Sequence, residues 1–281
     1  MSVVGVTGAG GLLGRQLVAA FEAAGDRVVG LAHPEIDLER PDSLAVIAEA
    51  GPDLVVNAAA WTDVDGCARN PERAMRVNGA GPGLVAEQAA RAGASVVQIS
   101  TNEVFDGSRE QAYAEDDEPN PINPYGAAKL AGERAVAAAT DRHLVIRTAW
   151  LFGPERGFPA RIRAAALRAV EADDLLSVVE DEWGNPTPVA SLATAIVAAW
   201  RLIGTPDHPR VLHLAGEPPA TRLDWAREIL ADLPVRVEPI RQADYPRPSR
   251  VPPRAVLAVD RARALGLPAI DWRAAMAEAA R

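Results

Sequence analysis

The first fourteen residues constrain the fold more than any other stretch. Val3-Val4-Gly5-Val6-Thr7 is a short apolar run of the kind that makes a buried parallel strand. It stops at Gly8-Ala9-Gly10-Gly11-Leu12-Leu13-Gly14, after which an amphipathic helical pattern runs through Ala24. Strand, glycine turn and helix in this order are the context that a dinucleotide-binding turn requires. Glycines let the backbone turn tightly against a pyrophosphate, and free N–H groups at the helix start hold its negative charge. Gly8, Gly10, Gly11, Leu12, Leu13 and Gly14 are the candidate contacts.

The rest of the first half keeps that rhythm. Asp26 to Leu31 reads as a second strand, Pro41 to Ala50 as a short helix and Asp53 to Asn57 as a third strand. A carboxylate often closes the second strand to hold the adenosine ribose of NAD. Here the strand ends Ala32-His33-Pro34, with no acid before Glu35 and Asp37 and no Arg beside it. Asp37 and Leu38 are candidate coenzyme contacts, and the choice between NADH and NADPH stays open. The third strand delivers Ala58-Ala59-Ala60, small enough for a cofactor to lie against. A long helix from Pro71 to about Ala92, carrying Asn78, leads to a fourth strand, Ala94 to Ser100. His143 to Arg147 is the fifth. Strands alternating with helices predict a Rossmann-type, doubly wound parallel sheet in an α/β protein.

Between the fourth and fifth strands lies the stretch with the most chemistry. Ser100-Thr101-Asn102-Glu103-Val104-Phe105-Asp106-Gly107 is followed by a polar loop and then Asn123-Pro124-Tyr125-Gly126-Ala127-Ala128-Lys129. Asn123 is a good N-cap and Pro124 suits the first helical position, so Tyr125 should open a helix. Tyr125 and Lys129 then stand four apart on one face. An ammonium beside a phenol favours the phenolate, which predicts a lowered Tyr125 pKa and a proton donor near neutral pH. Thr101, at the end of the fourth strand, could bring a hydroxyl to the same spot.

Residues 1–153 are expected to form the dinucleotide-binding domain, with strands near 175–179 and 211–214 as candidates to return to it. Residues 154–281 are expected to form a smaller α/β substrate-binding domain over the open end of the sheet. Its later part is proline-dense, which predicts loops rather than long elements.

Composition excludes several classes. The net charge is −9 and the basic residues are scattered among acids, which argues against a nucleic-acid partner. No apolar run approaches the length of a membrane helix, and the N-terminus carries no leader pattern, so a cytoplasmic location is expected. Cys67 is the only cysteine and reads as a packing residue; the four histidines are dispersed, and no metal-ligand spacing is present.

Taken together, these residues resemble the extended short-chain dehydrogenase/reductases, and among them the dTDP-4-dehydrorhamnose reductase family. The resemblance spans nearly the whole chain. Besides the glycine turn and the Tyr125/Lys129 pair it rests on Asn57-Ala58-Ala59-Ala60-Trp61-Thr62-Asp63-Val64-Asp65, Val77-Asn78, Ser100-Thr101 and Val104-Phe105-Asp106-Gly107. Arg147-Thr148-Ala149-Trp150, Asp181 with Gly184 and Pro186-Thr187, Arg247-Pro248 and Asp271-Trp272-Arg273 complete it. It implies NADPH- or NADH-dependent reduction of the 4-keto group of a nucleotide-linked 6-deoxyhexose. Tyr125 would be the general acid, Lys129 would tune it and hold the nicotinamide ribose, and Thr101 would bond the reacting oxygen. Ser100 would touch the coenzyme, and Asn102, Glu103, Val104, Phe105, Trp150 and Arg247 the substrate, Arg247 at the diphosphate. The implied partner is a small nucleotide sugar; a homodimer stays open as an assembly.

One departure stands out. The family usually has Asp-Tyr after the active threonine, where this chain has Asn102-Glu103. Related 4,6-dehydratases have Thr-Asp-Glu there, with Asp as acid and Glu as base. An amide has no acidic proton to give, so reduction is favoured over elimination. The alternatives are a dehydratase or epimerase on the same scaffold, or a non-catalytic nucleotide-binding regulatory subunit.

Overall fold

A computed structural model describes residues 1–153 and 156–279. Its centre is a six-stranded, wholly parallel sheet. The strands are β1 (Val3–Thr7), β2 (Arg27–Leu31), β3 (Leu54–Asn57), β4 (Ser95–Thr101) and β5 (His143–Thr148), with Val211–His213 as the sixth. The spatial order is Val211–His213, β5, β4, β3, β1, β2. From β1 the chain steps to β2 on one side and then crosses to β3 on the other. That reversal opens a crevice beyond the ends of β1 and β3, where ligands bind in such sheets.

The strands are apolar on both faces because helices cover both. On one side α1 (Leu12–Ala23) and the helix Val189–Ala199 pack against Val4, Val6, Val56, Val97 and Ile146. On the other, Ile47, Val85, Ala89 and Val136 close over Val55 and Val96. A polar ladder crosses the buried ends of three strands. Thr7 Oγ1 donates to Asn57 Oδ1 (2.5 Å), and Asn57 Nδ2 donates to Gln98 Oε1 (2.7 Å). These are cross-strand register partners, so the ladder aligns the strand ends that carry the crevice.

The long helix expected over Pro71–Ala92 is interrupted. It runs as Pro71–Ala74, a π-helical stretch Met75–Ala80 and Gly81–Arg91. The wide turn places Asn78 so that its Oδ1 accepts from Trp61 N–H and its Nδ2 donates to Trp61 C=O, both at 2.8 Å. One side chain thus pins the turn that follows β3, a common use of a π stretch.

Strand Leu175–Val179 does not join the central sheet. It pairs in parallel with Arg236–Ile240, whose inner residues pack with Phe152, Trp225 and Trp272 in a separate apolar cluster. Val211–His213 does join it, beside β5. Between Pro234 and Pro253 the chain forms only the strand Arg236–Ile240 and a single turn, Gln242–Asp244, with short helices on either side of the proline-dense stretch. Those flanking helices, Arg222–Ile229 and Trp272–Ala279, fold because a buried tryptophan gives each an apolar face. The expected division at 153/154 abuts residues 154 and 155, outside the described residues.

Candidate active site

The glycine turn behaves as a cradle. Gly8 has a positive φ of +67°, and a side chain there would meet the Ala59 backbone N at 2.8 Å. A Cβ on Gly14 would collide with the Gly8 carbonyl, so α1 can start this close to β1 only with glycine. Gly8, Gly10, Gly11, Asp37, Leu38, Ala58, Ala59 and Ala60 line an outer chamber with Ala32, His33 and Arg73. The Asp37 carboxyl lies below its ordinary range, chiefly because it accepts the Glu39 N–H.

From the cradle the crevice widens into a chamber of about 790 Å³. Gly11, Leu12, Leu13, Gly14, Ala58 and Ala60 form its floor, and Ser100, Thr101, Asn102, Glu103, Tyr125, Lys129 and Trp150 its walls. The coenzyme-type residues and the reactive trio therefore share one cavity. Such a floor fits a dinucleotide: backbone can come close, and α1 begins there at Leu12, where first-turn N–H groups have no intrahelical partner.

Each member of the trio is placed by a local device. Thr101 ends β4, and its Oγ1 accepts the Glu103 N–H at 3.2 Å. Tyr125 opens helix Pro124–Ala139, where Asn123 Oδ1 accepts the Gly126 N–H at 2.7 Å and Pro124 takes the first turn. Lys129 follows one turn later; its Nζ donates to the Ile99 carbonyl of β4 at 2.6 Å. Glu133, a further turn on, accepts from Ser100 Oγ (2.5 Å), Arg147 Nε (3.0 Å) and Arg147 Nη2 (2.7 Å). Tyr125, Lys129 and Glu133 thus form an i, i+4, i+8 stripe against the sheet.

The electrostatics differ from the expectation. The Tyr125 phenol is pushed up, not down: burial and the Glu103 charge outweigh the Thr101 hydroxyl, which alone favours phenolate. The Lys129 ammonium is turned onto the Ile99 carbonyl, and burial brings its own pKa down to about 8, partly offset by Glu133. Glu103 is pushed up to about 7, chiefly by burial, against the hydrogen bond from Asn123. The resting site therefore holds a neutral phenol, a lysine mostly charged at pH 7 and a carboxyl poised near neutrality.

Two predicted substrate contacts are misplaced. Val104 and Phe105 are fully buried and do not line the cavity. Phe105 stacks on Tyr113 at 4.3 Å, and the Arg147 guanidinium lies 5.2 Å above its ring. Asp106 accepts from the Tyr113 hydroxyl (2.6 Å) and the Ser108 N–H (3.0 Å), which holds it well below the usual carboxylate range. Apolar residues after β4 are taken into the core, so Val104-Phe105-Asp106-Gly107 builds the wall behind the site. Ser100 lines the cavity, but its hydroxyl is committed to Glu133. Arg247 lines a third chamber and is ion-paired to Asp65 at 3.1 Å.

Sequence reasoning missed Arg222, Glu182 and Arg161. Arg222 and Arg161 line both the central and the third chambers. The Arg222 guanidinium lies 3.5 Å over the Trp150 ring and pairs with Glu182 at 3.0 Å. Trp150 takes a left-handed backbone (φ +46°), and its indole lies so close over Gly184 that a side chain there would strike it. A signal for Arg222 was present: Thr221-x-x-Asp224 is a capping pattern, and Thr221 Oγ1 accepts the Asp224 N–H at 2.9 Å. Cys67 is buried among Trp61, Ala74, Tyr125 and Ala128, with its thiol pushed up to about 11 by burial. Among the described residues no cluster of His, Cys, Asp and Glu could hold a metal ion, and no helix is long and apolar enough to cross a membrane.

A parallel six-stranded sheet with a glycine cradle at its reversal, opening onto Thr101, Tyr125 and Lys129, defines an NAD(P)-dependent oxidoreductase of the short-chain dehydrogenase/reductase class. The family model described as the RmlD substrate binding domain matches residues 1–281, and the chain belongs to that family. A dTDP-4-dehydrorhamnose reductase of Mycolicibacterium smegmatis is 38% identical over 281 residues, covering 98% of this chain and 84% of that protein. A probable dTDP-4,6-dihydroxy-2-methyloxan-3-one 4-ketoreductase of Streptomyces antibioticus is 38% identical over 285 residues, covering 98% and 93%. The crystal structure of a Bacillus anthracis dTDP-4-dehydrorhamnose reductase in complex with NADP superimposes with a TM-score of 0.86 at 27% identity, covering 96% and 95%.

Proposed function

We propose that the protein reduces the 4-keto group of a dTDP-linked 4-keto-6-deoxyhexose, as its relatives' names describe for them, and that it works in the cytoplasm. The observation that carries this reading is the shared cavity: glycine floor, Thr101, Tyr125 and Lys129 face one space. When bound on that floor, the reduced coenzyme supplies the hydride. The chain's own residues do the rest. Thr101 and Tyr125 hydroxyls hold the carbonyl oxygen as negative charge develops on it. The neutral Tyr125 phenol then gives up its proton, because an alkoxide is a stronger base than even a buried phenolate. Lys129 is assigned to the nicotinamide ribose, leaving Ile99 C=O when that ligand arrives.

Gly8, Gly10, Gly11, Leu12, Leu13 and Gly14 are assigned to the pyrophosphate, with Asp37, Leu38 and Ala58–Ala60 toward the adenosine end and Ser100 at the nicotinamide end. Asn102, Glu103 and Trp150 border the sugar. Arg161 and Arg222 join Arg247 as the cations for the diphosphate, since Arg247 is already shared with Asp65.

The dehydratase reading is weakened by Asn102, whose Nδ2 is committed to the Ala255 carbonyl at 3.0 Å. A regulatory subunit would have no need of the trio. Incubation with a dTDP-4-keto-6-deoxyhexose and NADPH should consume the reduced-nicotinamide absorbance and form the 4-hydroxy sugar. Turnover of dTDP-glucose without net coenzyme consumption would overturn the assignment.

A further inference from the structure

Glu103 borders the sugar but moves no proton in that reduction, although it lines the chamber beside Thr101 and Tyr125. It lies on the single turn Asn102–Val104 directly after Thr101, and its N–H donates to Thr101 Oγ1. Its Oε2 accepts from Asn123 Nδ2 at 2.7 Å, and the other end of that amide caps the Tyr125 helix. Its backbone carbonyl packs on Gly126, leaving no room there for a side chain. Residue 103 is thus tied through its backbone N–H to the strand end that carries Thr101, and through its carboxylate to the helix start that carries Tyr125. Its charge is felt at Tyr125, and the fields of Arg247 and Arg222 answer it. Among the described residues it enters no ion pair within 4.0 Å.

A carbonyl held by Thr101 and Tyr125 presents its neighbouring carbons to the same chamber wall, and the hydrogens on those carbons are acidified by the carbonyl. We infer that Glu103 is a general base for one of these C–H bonds, so that the protein exchanges that hydrogen with solvent in the absence of reduced coenzyme. The inference rests on the keto-sugar reading above. The step balances within the site. The C–H bond breaks, the proton passes to the Glu103 carboxylate, and the electron pair moves onto the carbonyl oxygen. The enolate so formed is held by the Thr101 and Tyr125 hydroxyls. Glu103 trades its proton with water, and the return of a solvent hydrogen to carbon restores the ketone. A carboxyl poised at about 7 suits this work at neutral pH, while the raised phenol stays a donor.

The test uses the full chain in D2O with NADP+ and dTDP-4-keto-6-deoxyglucose, following the ring proton signals next to the carbonyl by NMR. Loss of one signal should run at least about tenfold faster than in buffer alone, rising through pH 7 and then levelling. A parallel arm with NADPH measures reduction. Glu103→Gln should lower the ratio of exchange to reduction by about 100-fold, and Glu103→Asp should restore part of it. A residue that only oriented Asn123 would depress both rates together and leave the ratio unchanged, which would overturn the inference. Reduction with no exchange above buffer would overturn it while sparing the function. Failure of both reactions on this sugar would remove the keto-sugar reading and this inference with it.

Discussion

The floor of the central cavity and the wall of the third chamber beside it are built from different materials. The floor is backbone: Gly8, Gly11, Gly14 and Ala58–Ala60 offer absence of bulk, in a sheet aligned by the Thr7–Asn57–Gln98 ladder. The wall is side chain: Arg222, Glu182, Arg161, Asp65 and Arg247 come from separate segments and meet only in the folded molecule. A backbone site tolerates little substitution, because the added atom has nowhere to go. A side-chain site can be re-tuned one residue at a time while the floor stays put. On this view the floor keeps the coenzyme constant and the wall carries the substrate identity.

The largest effect is expected where the two meet. Tyr125→Phe removes the donated proton and should cut turnover about 1,000-fold, with coenzyme affinity changed less than about twofold. Stopped-flow reduction and fluorescence titration read the two quantities separately. Loss of both together would mean that Tyr125 belongs to the floor. Gly14→Ala tests the floor itself: its Cβ would strike the Gly8 carbonyl, and backbone cannot step aside cheaply. Denaturant unfolding should show about 3 kcal/mol of destabilisation, with coenzyme affinity falling further than substrate affinity. Ordinary stability in the Gly14→Ala variant would show that the cradle is looser than its contacts imply.

The same division explains what could be read in the residue order. The floor was legible because a glycine turn between a strand and a helix is local, and local patterns survive without knowledge of contacts. Asn123-Pro124-Tyr125 was legible for the same reason: a cap and a first-turn proline announce a helix. Val104 and Phe105 followed an active threonine and were assigned to substrate, but their apolar side chains are drawn into the core against Tyr113. The direction of the Tyr125 shift was missed because four-residue spacing says nothing about burial or about Glu103. Arg222 was missed because its neighbours in space, Trp150 and Glu182, are 72 and 40 residues away in the chain.

Glu103 offers a test on the wall that needs no substrate. Its folded pKa of about 7 lies above that of an unfolded glutamate, so its contribution to stability is complete below about pH 4.3 and is lost as pH rises through 7. Above pH 7 the folded chain holds a desolvated charge that the unfolded chain keeps in water. Glu103→Gln should therefore raise stability at pH 8 by about 2 kcal/mol, the displacement being discounted for partial exposure, and the gain should vanish near pH 4. Unfolding curves at the two pH values read the difference. Equal gains at both would place the effect in packing, and Glu103 would join the floor rather than the wall.

The smallest change expected is the one that sharpens the comparison most. Arg222 makes two kinds of contact: a flat stack 3.5 Å from the Trp150 ring and an ion pair with Glu182. Arg222→Lys keeps the charge, and a lysine can still approach Glu182, but it cannot stack a planar group on the indole or present a fork to a diphosphate. If the wall works by shape and bidentate contacts, KM for the nucleotide sugar should rise about tenfold with kcat and coenzyme affinity little changed. If it works by net charge alone, Lys should substitute without loss and only Arg222→Met should raise KM. A fall in kcat with constant KM would show instead that Trp150, with its left-handed backbone and its place over Gly184, needs the guanidinium to hold the ring beside the reacting carbon.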